Sequence, residues 1–309
     1  MLRIALAQCD PTVGDLPGNA ELVREWSRRA ADAGAQLVAF PEMMLTGYPV
    51  EDLVFRESFV AASRAALAGL AGQLQQDGLG DLPVVLGYLE ADGPARLGSG
   101  SAGAGGPRNA IGLLHRGRVA ARYFKHHLPN YGVFDEDRYF VPGDALTVVR
   151  VGGVDVGLTI CEDIWQAGGP FAVARQAGVG LVVNINGSPY ELHKDDVRLP
   201  LVARRAREAR AAVAYVNMVG GQDELVFDGD SMIVSAAGRL LARAPQFAEH
   251  LLVHDLTLPA AEGEVDDEVD TDVADGMRVR RCELAGELPA RPAGPRVRGG
   301  VAERVTDEA

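Results

Sequence analysis

Residues Val156 to Trp165 read VGLTICEDIW, an apolar, β-rich run that ends at Cys161 and gives way to an acidic, helix-like stretch. Such a corner sets a thiol at the C-terminal end of a buried strand, beside the crevice where open α/β folds bind ligands. A helix start just beyond it favours the thiolate, so Cys161 is a candidate nucleophile. Taken alone, an unpaired cysteine in an apolar run is better read as an inert core position, because such cysteines are commonly buried. The choice between the two readings depends on the rest of the chain.

The strand-like texture recurs. Short β-rich runs cover Leu2 to Cys9, Gln36 to Phe40, Pro83 to Glu90, Ala110 to Leu114, Val154 to Cys161, Val179 to Asn186 and Ala212 to Met218. Helical segments between them predict α/β layering. Leu22, Val23, Trp26 and Ala30 fall at helical spacing before a stop at Gly34. Phe59, Ala66, Leu67, Leu70 and Leu74 form a second apolar face, and a third helix is predicted over Lys194 to Ala211. Ser231 to Ser235 and Leu240 to Ala244 read as a hairpin around Ala237-Gly238, so the sheet is expected to be mixed. Residues 91–107, ADGPARLGSGSAGAGGP, are expected to form a flexible Gly/Ser-rich surface loop.

With 309 residues, 47% of them hydrophobic and 24% charged, the chain can bury an extensive core, which excludes disorder of the whole. Cys9, Cys161 and Cys282 cannot all pair and show no CxxC spacing, a pattern that suggests a reducing, cytoplasmic setting. MLRIALAQCD lacks the long apolar region of a signal peptide, and no stretch reaches the roughly 18 apolar residues of a membrane helix. The net charge of -13 argues against nucleic acid as the main partner. Six histidines show no metal-ligand spacing, so no metal is expected. Ser99 to Gly106 lacks the Lys-Ser/Thr ending of a phosphate loop. Eight carboxylates between Glu262 and Asp275, then a run of arginines from Arg278 to Arg298, read as a charge-segregated, solvated tail or linker over residues 259–309, following a domain over residues 1–258.

Two further strand ends carry chemistry. LVAFPEMMLTGYP sets Glu42 just after an apolar strand, as a candidate general base or a simple turn carboxylate. RYFKHHLPNYGVFDEDRYF sets Lys125 after a β-rich stretch, where a lone lysine would otherwise be read as solvated. Attack by a thiol on an amide or nitrile needs a base, a cation or dipole for the oxyanion, and a site that excludes water. A layered fold can bring Glu42, Lys125 and Cys161 from their separate strand ends into one crevice. There the ammonium is expected to lower the thiol pKa.

Read together, FPEMMLTGYPVEDL, KHHLPNYGVFDEDRYF, GLTICEDIW, NINGSPY and VGGQDELVFDGDS resemble the nitrilase, or carbon-nitrogen hydrolase, superfamily. Within it the chain looks most like the glutamine amidohydrolase domain of glutamine-dependent NAD+ synthetases, over about Leu2 to Phe247. The resemblance implies an αββα sandwich with mixed sheets and a Glu-Lys-Cys triad at its edge. It implies that Cys161 attacks the side-chain amide of glutamine, that Glu42 shuttles the proton, and that Lys125 steadies the oxyanion with the backbone N–H of Glu162. Glu136 matches an additional glutamate that orients the lysine; its bland alternative is a loop carboxylate. For substrate binding the resemblance points to Tyr48, Tyr131, Glu162, Trp165, Ser188 and Lys194, with Arg198 as an alternative to Lys194 for the substrate carboxylate.

The amidase reaction implied needs no cofactor. ATP and Mg belong to a synthetase domain whose SGGxDS-like signature is not found in these residues, so no ATP or dinucleotide site is expected among them. The partners implied are glutamine or another small amide and an NAD+ synthetase domain or subunit, with no nucleic acid and no membrane. The family habitually associates, so a homo-oligomer is expected. Two other readings remain: an independent amidase acting on another small carboxamide, and a catalytically silent binding subunit that kept the fold.

Overall fold

Leu2–Gln8 is buried along its whole length, so both faces of this first strand need a covering layer. The structure, a computed structural model, describes residues 1–91, 106–192, 194–265, 270–272, 277–291 and 293–305, with only the backbone at 194–195 and 270–272. In chain order the elements are β1 (Leu2–Gln8), α1 (Leu16–Asp32), β2 (Leu37–Ala39), α2 (Glu57–Gln76), β3 (Val84–Ala91), β4 (Pro107–His115), β5 (Arg118–Phe124) and α3 (Glu136–Tyr139). They continue with β6 (Ala145–Val151), β7 (Val154–Ile160), α4 (Glu162–Trp165), α5 (Gly169–Gln176), β8 (Leu181–Asn186), α6 (Lys194–Ala209), β9 (Ala212–Asn217), β10 (Val219–Gln222) and β11 (Leu225–Asp228). The last are β12 (Met232–Val234), β13 (Leu240–Arg243), β14 (His250–Leu256), β15 (Asp270–Asp272) and β16 (Arg278–Glu283).

Two sheets stack. One has the order β14-β1-β2-β3-β4-β5 and the other β13-β12-β9-β8-β7-β6-β16-β15. Both are mixed: β1 runs parallel to β2 but antiparallel to β14, and β7, β8 and β9 are parallel while β6 and β12 flank them antiparallel. The pleat of β1 serves both sides. Ile4 and Leu6 join the core shared with Leu158 and Ile160, whereas Ala5 and Ala7 meet Val23 and Trp26 of α1 and Leu67 and Leu70 of α2. Helices α5 and α6 cover the other face of the second sheet, which completes an α-β-β-α order of layers.

The helices follow the local signals. Asp15 caps α1 by accepting from Gly18 N at 3.0 Å, and the chain leaves the helix through Gly34 at φ 73°. The predicted hairpin forms as β12 and β13, with Gly238 at φ 77° in its turn. Among the described residues no helix is long and apolar enough to cross a membrane. Residues 92–105, most of the predicted loop, lie outside the described residues.

The solvated tail expected over residues 259–309 is corrected in part. Six residues of β16 pair in parallel with Ala145–Arg150 of β6, and Met277, Val279 and Leu284 are buried. The arginines that made this stretch look soluble are accommodated at its margins: Arg278 pairs with Asp144 at 2.7 Å, and Arg281 reaches Asp155 at 3.2 Å and the Ala177 carbonyl at 2.6 Å. Long guanidinium side chains can lie over a strand while its alternate residues enter the core. Further on, Val297, Gly300 and Val305 bond to Asp255, Arg243 and Gln246.

Val279→Asp would bury an unpaired carboxylate in this strand. It is expected to lower the stability measured by urea denaturation by about 3 kcal/mol or more. A stability within about 0.5 kcal/mol of the parent would contradict the docking of β16.

Candidate active site

Cys161 follows the last residue of β7 and adopts φ 40° and ψ -97°, a backbone conformation that a side chain with a Cβ rarely takes. Strain of this kind costs on the order of 1–3 kcal/mol and must be held by its surroundings. Its N–H donates to Ile185 O on β8 at 2.8 Å. Two residues on, the buried Asp163 acts as a bracket. Its Oδ2 accepts from Ile160 N at 2.9 Å and from the Tyr123 hydroxyl at 2.7 Å. Its Oδ1 accepts from the backbone N–H groups of His126 and His127 at 3.1 and 2.9 Å. One carboxylate therefore ties the cysteine turn to the segment that leaves β5 through Lys125. At the other end of the turn, the buried Arg205 of α6 donates to the carbonyls of Ile164 and Trp165 at 2.7 and 3.1 Å.

Glu42 reaches the same place from β2. The loop carrying it lies so close to β3 that a Cβ at Gly87 would fall 2.1 Å from Met43 N, so only glycine fits there without displacing the loop. Glu42 is fully buried and accepts three hydrogen bonds: Lys125 Nζ at 2.8 Å and Asn109 Nδ2 at 2.6 Å on Oε1, and Gly187 N at 2.7 Å on Oε2. Lys125 Nζ also lies 2.8 Å from Glu136 Oε2, and Glu136 Oε1 accepts from the Tyr48 hydroxyl at 3.0 Å. Tyr48, Glu136, Lys125 and Glu42 thus form a continuous buried chain of polar contacts.

Burial dominates the protonation states. It would lower the Lys125 pKa, but the charges of Glu136 and Glu42 outweigh it and hold the ammonium well above its ordinary value. Glu136 is pushed up to about 7 by burial, with Lys125 opposing and Glu42 adding to the rise. The thiol of Cys161 is raised well above its usual value, first by burial and then by Glu42, with Lys125 pulling the other way. The expectation of a lowered thiol pKa is therefore corrected. The ammonium shares the site with several carboxylates in a dry environment, and α4 spans only four residues.

A cavity of about 330 Å3 opens in front of Cys161 and is walled by Tyr131, Glu162, Trp165 and Ser188 together with Pro129, Phe134, Glu191, Leu192 and Val197. Tyr131 donates to Glu162 Oε2 at 2.8 Å, and Ser188 N donates to Asn217 Oδ1 at 2.9 Å. Of the six residues predicted to bind substrate, four line this cavity. Tyr48 does not; it turns to Glu136 and lines a smaller neighbouring cavity. The side chain of Lys194 lies outside the described residues, although its backbone opens α6. Arg198, the alternative carboxylate partner, is fully buried and held by Asp228 at 2.7 and 2.9 Å and by Asp230 at 3.0 Å. It is not available to a ligand, which removes that alternative.

Asp163, Asn109, Arg205 and Phe134 were not singled out from the sequence. For Asp163 a signal existed, since it sits in the same CEDIW run as the nucleophile candidate. Asn109 gave none, because its partner Glu42 is 67 residues away.

A thiol, a carboxylate and an ammonium brought together by three strand ends, next to an open cavity, suit hydrolysis through a cysteine. Residues 3–263 match the carbon-nitrogen hydrolase family, and the chain belongs to it; it is a hydrolase of that class. It is 42% identical over 258 residues to the glutamine-dependent NAD(+) synthetase of Thermotoga maritima, covering 83% of this chain and 42% of that one. The solved glutamine-dependent NAD+ synthetase of Acinetobacter baumannii is similar with a TM-score of 0.74 and 32% identity over 85% of this chain and 48% of that chain. An amidase from Nesterenkonia sp. AN1, solved with the acetamide moiety of fluoroacetamide covalently added at its active site cysteine, is similar with a TM-score of 0.68 and 29% identity. That likeness covers 82% of this chain and 90% of the amidase. The chain spans less than half the length of the NAD+ synthetases it matches.

The raised pKa of Glu136 sets a pH dependence with a definite sign. In the unfolded chain this carboxyl titrates near its ordinary 4.5, and in the fold near about 7, so folding favours the protonated form. Its contribution is complete below the unfolded pKa and is lost as pH rises through about 7. Glu136→Gln, which does not titrate, is expected to lose less stability than the parent between about pH 5 and 7.5, measured by chemical denaturation at each pH. Equal slopes would contradict the assignment.

Proposed function

We propose that the chain hydrolyses the side-chain amide of glutamine to glutamate and ammonia, as the ammonia-supplying part of glutamine-dependent NAD+ synthesis. The observation that carries this reading is the buried contact chain Glu136–Lys125–Glu42 beside a strained cysteine that opens on a cavity. Its support from relatives is the 42% identity to a glutamine-dependent NAD(+) synthetase.

Because Cys161 rests as a neutral thiol, attack and deprotonation occur together. Sγ bonds to the carboxamide carbon while its proton passes to Glu42. The oxyanion so formed is stabilised by the Lys125 ammonium and by the backbone N–H of Glu162, in the first turn of α4, where helical N–H groups have no intrahelical acceptor. The C–N bond then breaks, Glu42 returns the proton to nitrogen, and ammonia leaves a thioester on Cys161. Water adds to the thioester carbon as Glu42 takes its proton, the C–S bond breaks, and the thiol regains that proton as glutamate departs. Glu136 and Tyr48 hold the ammonium in place. Glu162, hydrogen-bonded by Tyr131, is suited to receive the α-ammonium of the substrate, and Lys194 is the candidate for its α-carboxylate. The partners of this activity would be glutamine and a synthetase domain or subunit.

A second reading is an independent amidase for another small carboxamide, favoured by the near-complete cover of the Nesterenkonia amidase. Ammonia release from a panel of glutamine, asparagine, acetamide and propionamide separates the two. Glutamine is expected to give the highest kcat/KM, and Cys161→Ala is expected to abolish release from every amide. A higher kcat/KM for a simple aliphatic amide would favour the second reading, and activity retained without the thiol would overturn both.

A further inference from the structure

A groove of about 580 Å3 lies at the end of the sandwich remote from Cys161. Gly180, which lines it, precedes β8 and Ala212 opens β9, whereas Ser188 of the amide cavity follows β8. A six-residue strand separates the two ends by roughly 20 Å. Arg210, Arg239, Arg296 and Arg298 surround the groove. In a chain with 43 acidic and 30 basic residues, such a group of guanidinium side chains runs against the overall balance.

None of these four arginines forms an ion pair among the described residues. Arg296 donates to Thr257 Oγ1 and to Met1 Sδ, both uncharged. One carboxylate, Asp255, lies in the lining, but its side chain is fully buried and taken by Arg3 at 2.7 and 3.0 Å, by Val297 N at 2.9 Å and by Arg291 at 3.4 Å. His254, also in the lining, is held below its ordinary pKa first by burial; Asp255 opposes this, and Arg298 and Arg296 add to it. A second arginine-lined cavity, of about 230 Å3, differs in having ion pairs, because its Arg278 faces Asp144 at 2.7 Å and its Arg122 faces Glu90 at 3.4 Å.

Leu240, Leu241, Leu256 and Leu258 add apolar surface to the lining of the larger groove. Planar guanidinium groups match phosphate oxygens in pairs, and apolar side chains beside them offer a surface for the face of a base. The volume falls in the range of small-molecule sites. We propose that this groove binds a nucleoside diphosphate or related nucleotide, with the phosphates on the arginines and the base on the leucines, at a site separate from the amide cavity.

Isothermal titration of the whole chain with ADP, inorganic pyrophosphate and adenosine tests this. ADP is expected to bind at one equivalent, more tightly than either fragment, and to weaken as salt is raised. Arg239→Ala combined with Arg298→Ala, both exposed positions, is expected to weaken ADP binding at least about tenfold with an unchanged thermal melt. No saturable binding of ADP, or binding unaffected by the double substitution, would overturn the site. Pyrophosphate binding as tightly as ADP would overturn its assignment to a nucleotide, and adenosine binding as tightly as ADP would overturn the role of the arginines.

Discussion

The contact between Lys125 and its two carboxylates, 2.8 Å on either side and out of reach of water, is the constraint around which the site is organised. An ammonium in such a place is costly unless paired, and a lone carboxylate there would take up a proton. Each group is therefore tolerated because the others are present. Burial, and after it the charge of Glu42, leaves the thiol neutral. The site is accordingly built to hold a proton ready on sulfur and an acceptor for it nearby, not to store a thiolate.

The fold serves this constraint by delivering each group from a different strand end. Glu42 leaves β2, Lys125 leaves β5 and Cys161 leaves β7, so the cluster spans both sheets. Their relative positions depend on contacts that cross the layers: Asp163 to the backbone after Lys125, Asn109 to Glu42, and Gly187 N to Glu42. The close approach of Gly87 to the Glu42 loop belongs to the same set. A shift near 1 Å at any of them would separate groups that must exchange a proton, and misplacement on that scale can cost about 100-fold in rate.

Much of this was legible in the sequence, because its signals are local. The strand runs that end at Gln8, Ala39, Ile160, Asn186 and Asn217 are mostly apolar and are buried over their whole length, as strands covered on both faces must be. Glu42 and Cys161 stand out because each follows such a run, and Lys125 because it follows the β-rich stretch of β5. What the sequence concealed is non-local. Burial and a surplus of carboxylates reversed the expected direction of the thiol pKa, and neither is visible from the residues flanking Cys161. Arg198 resembled a free cation near the pocket until Asp228 and Asp230 were brought to it from the β11–β12 region. The strand at Arg278–Glu283 was masked by its arginines, whose charges find partners at the sheet margin while Val279 goes inside.

The central claim is that Cys161 is a nucleophile facing a preformed site for glutamine. Peptide mapping by mass spectrometry after exposure to a diazo-ketone analogue of glutamine, with and without free glutamine, tests it without requiring turnover. The account predicts stoichiometric labelling confined to Cys161 and suppressed by glutamine. Labelling of Cys9 or Cys282 instead, or labelling of Cys161 that glutamine does not suppress, would contradict it.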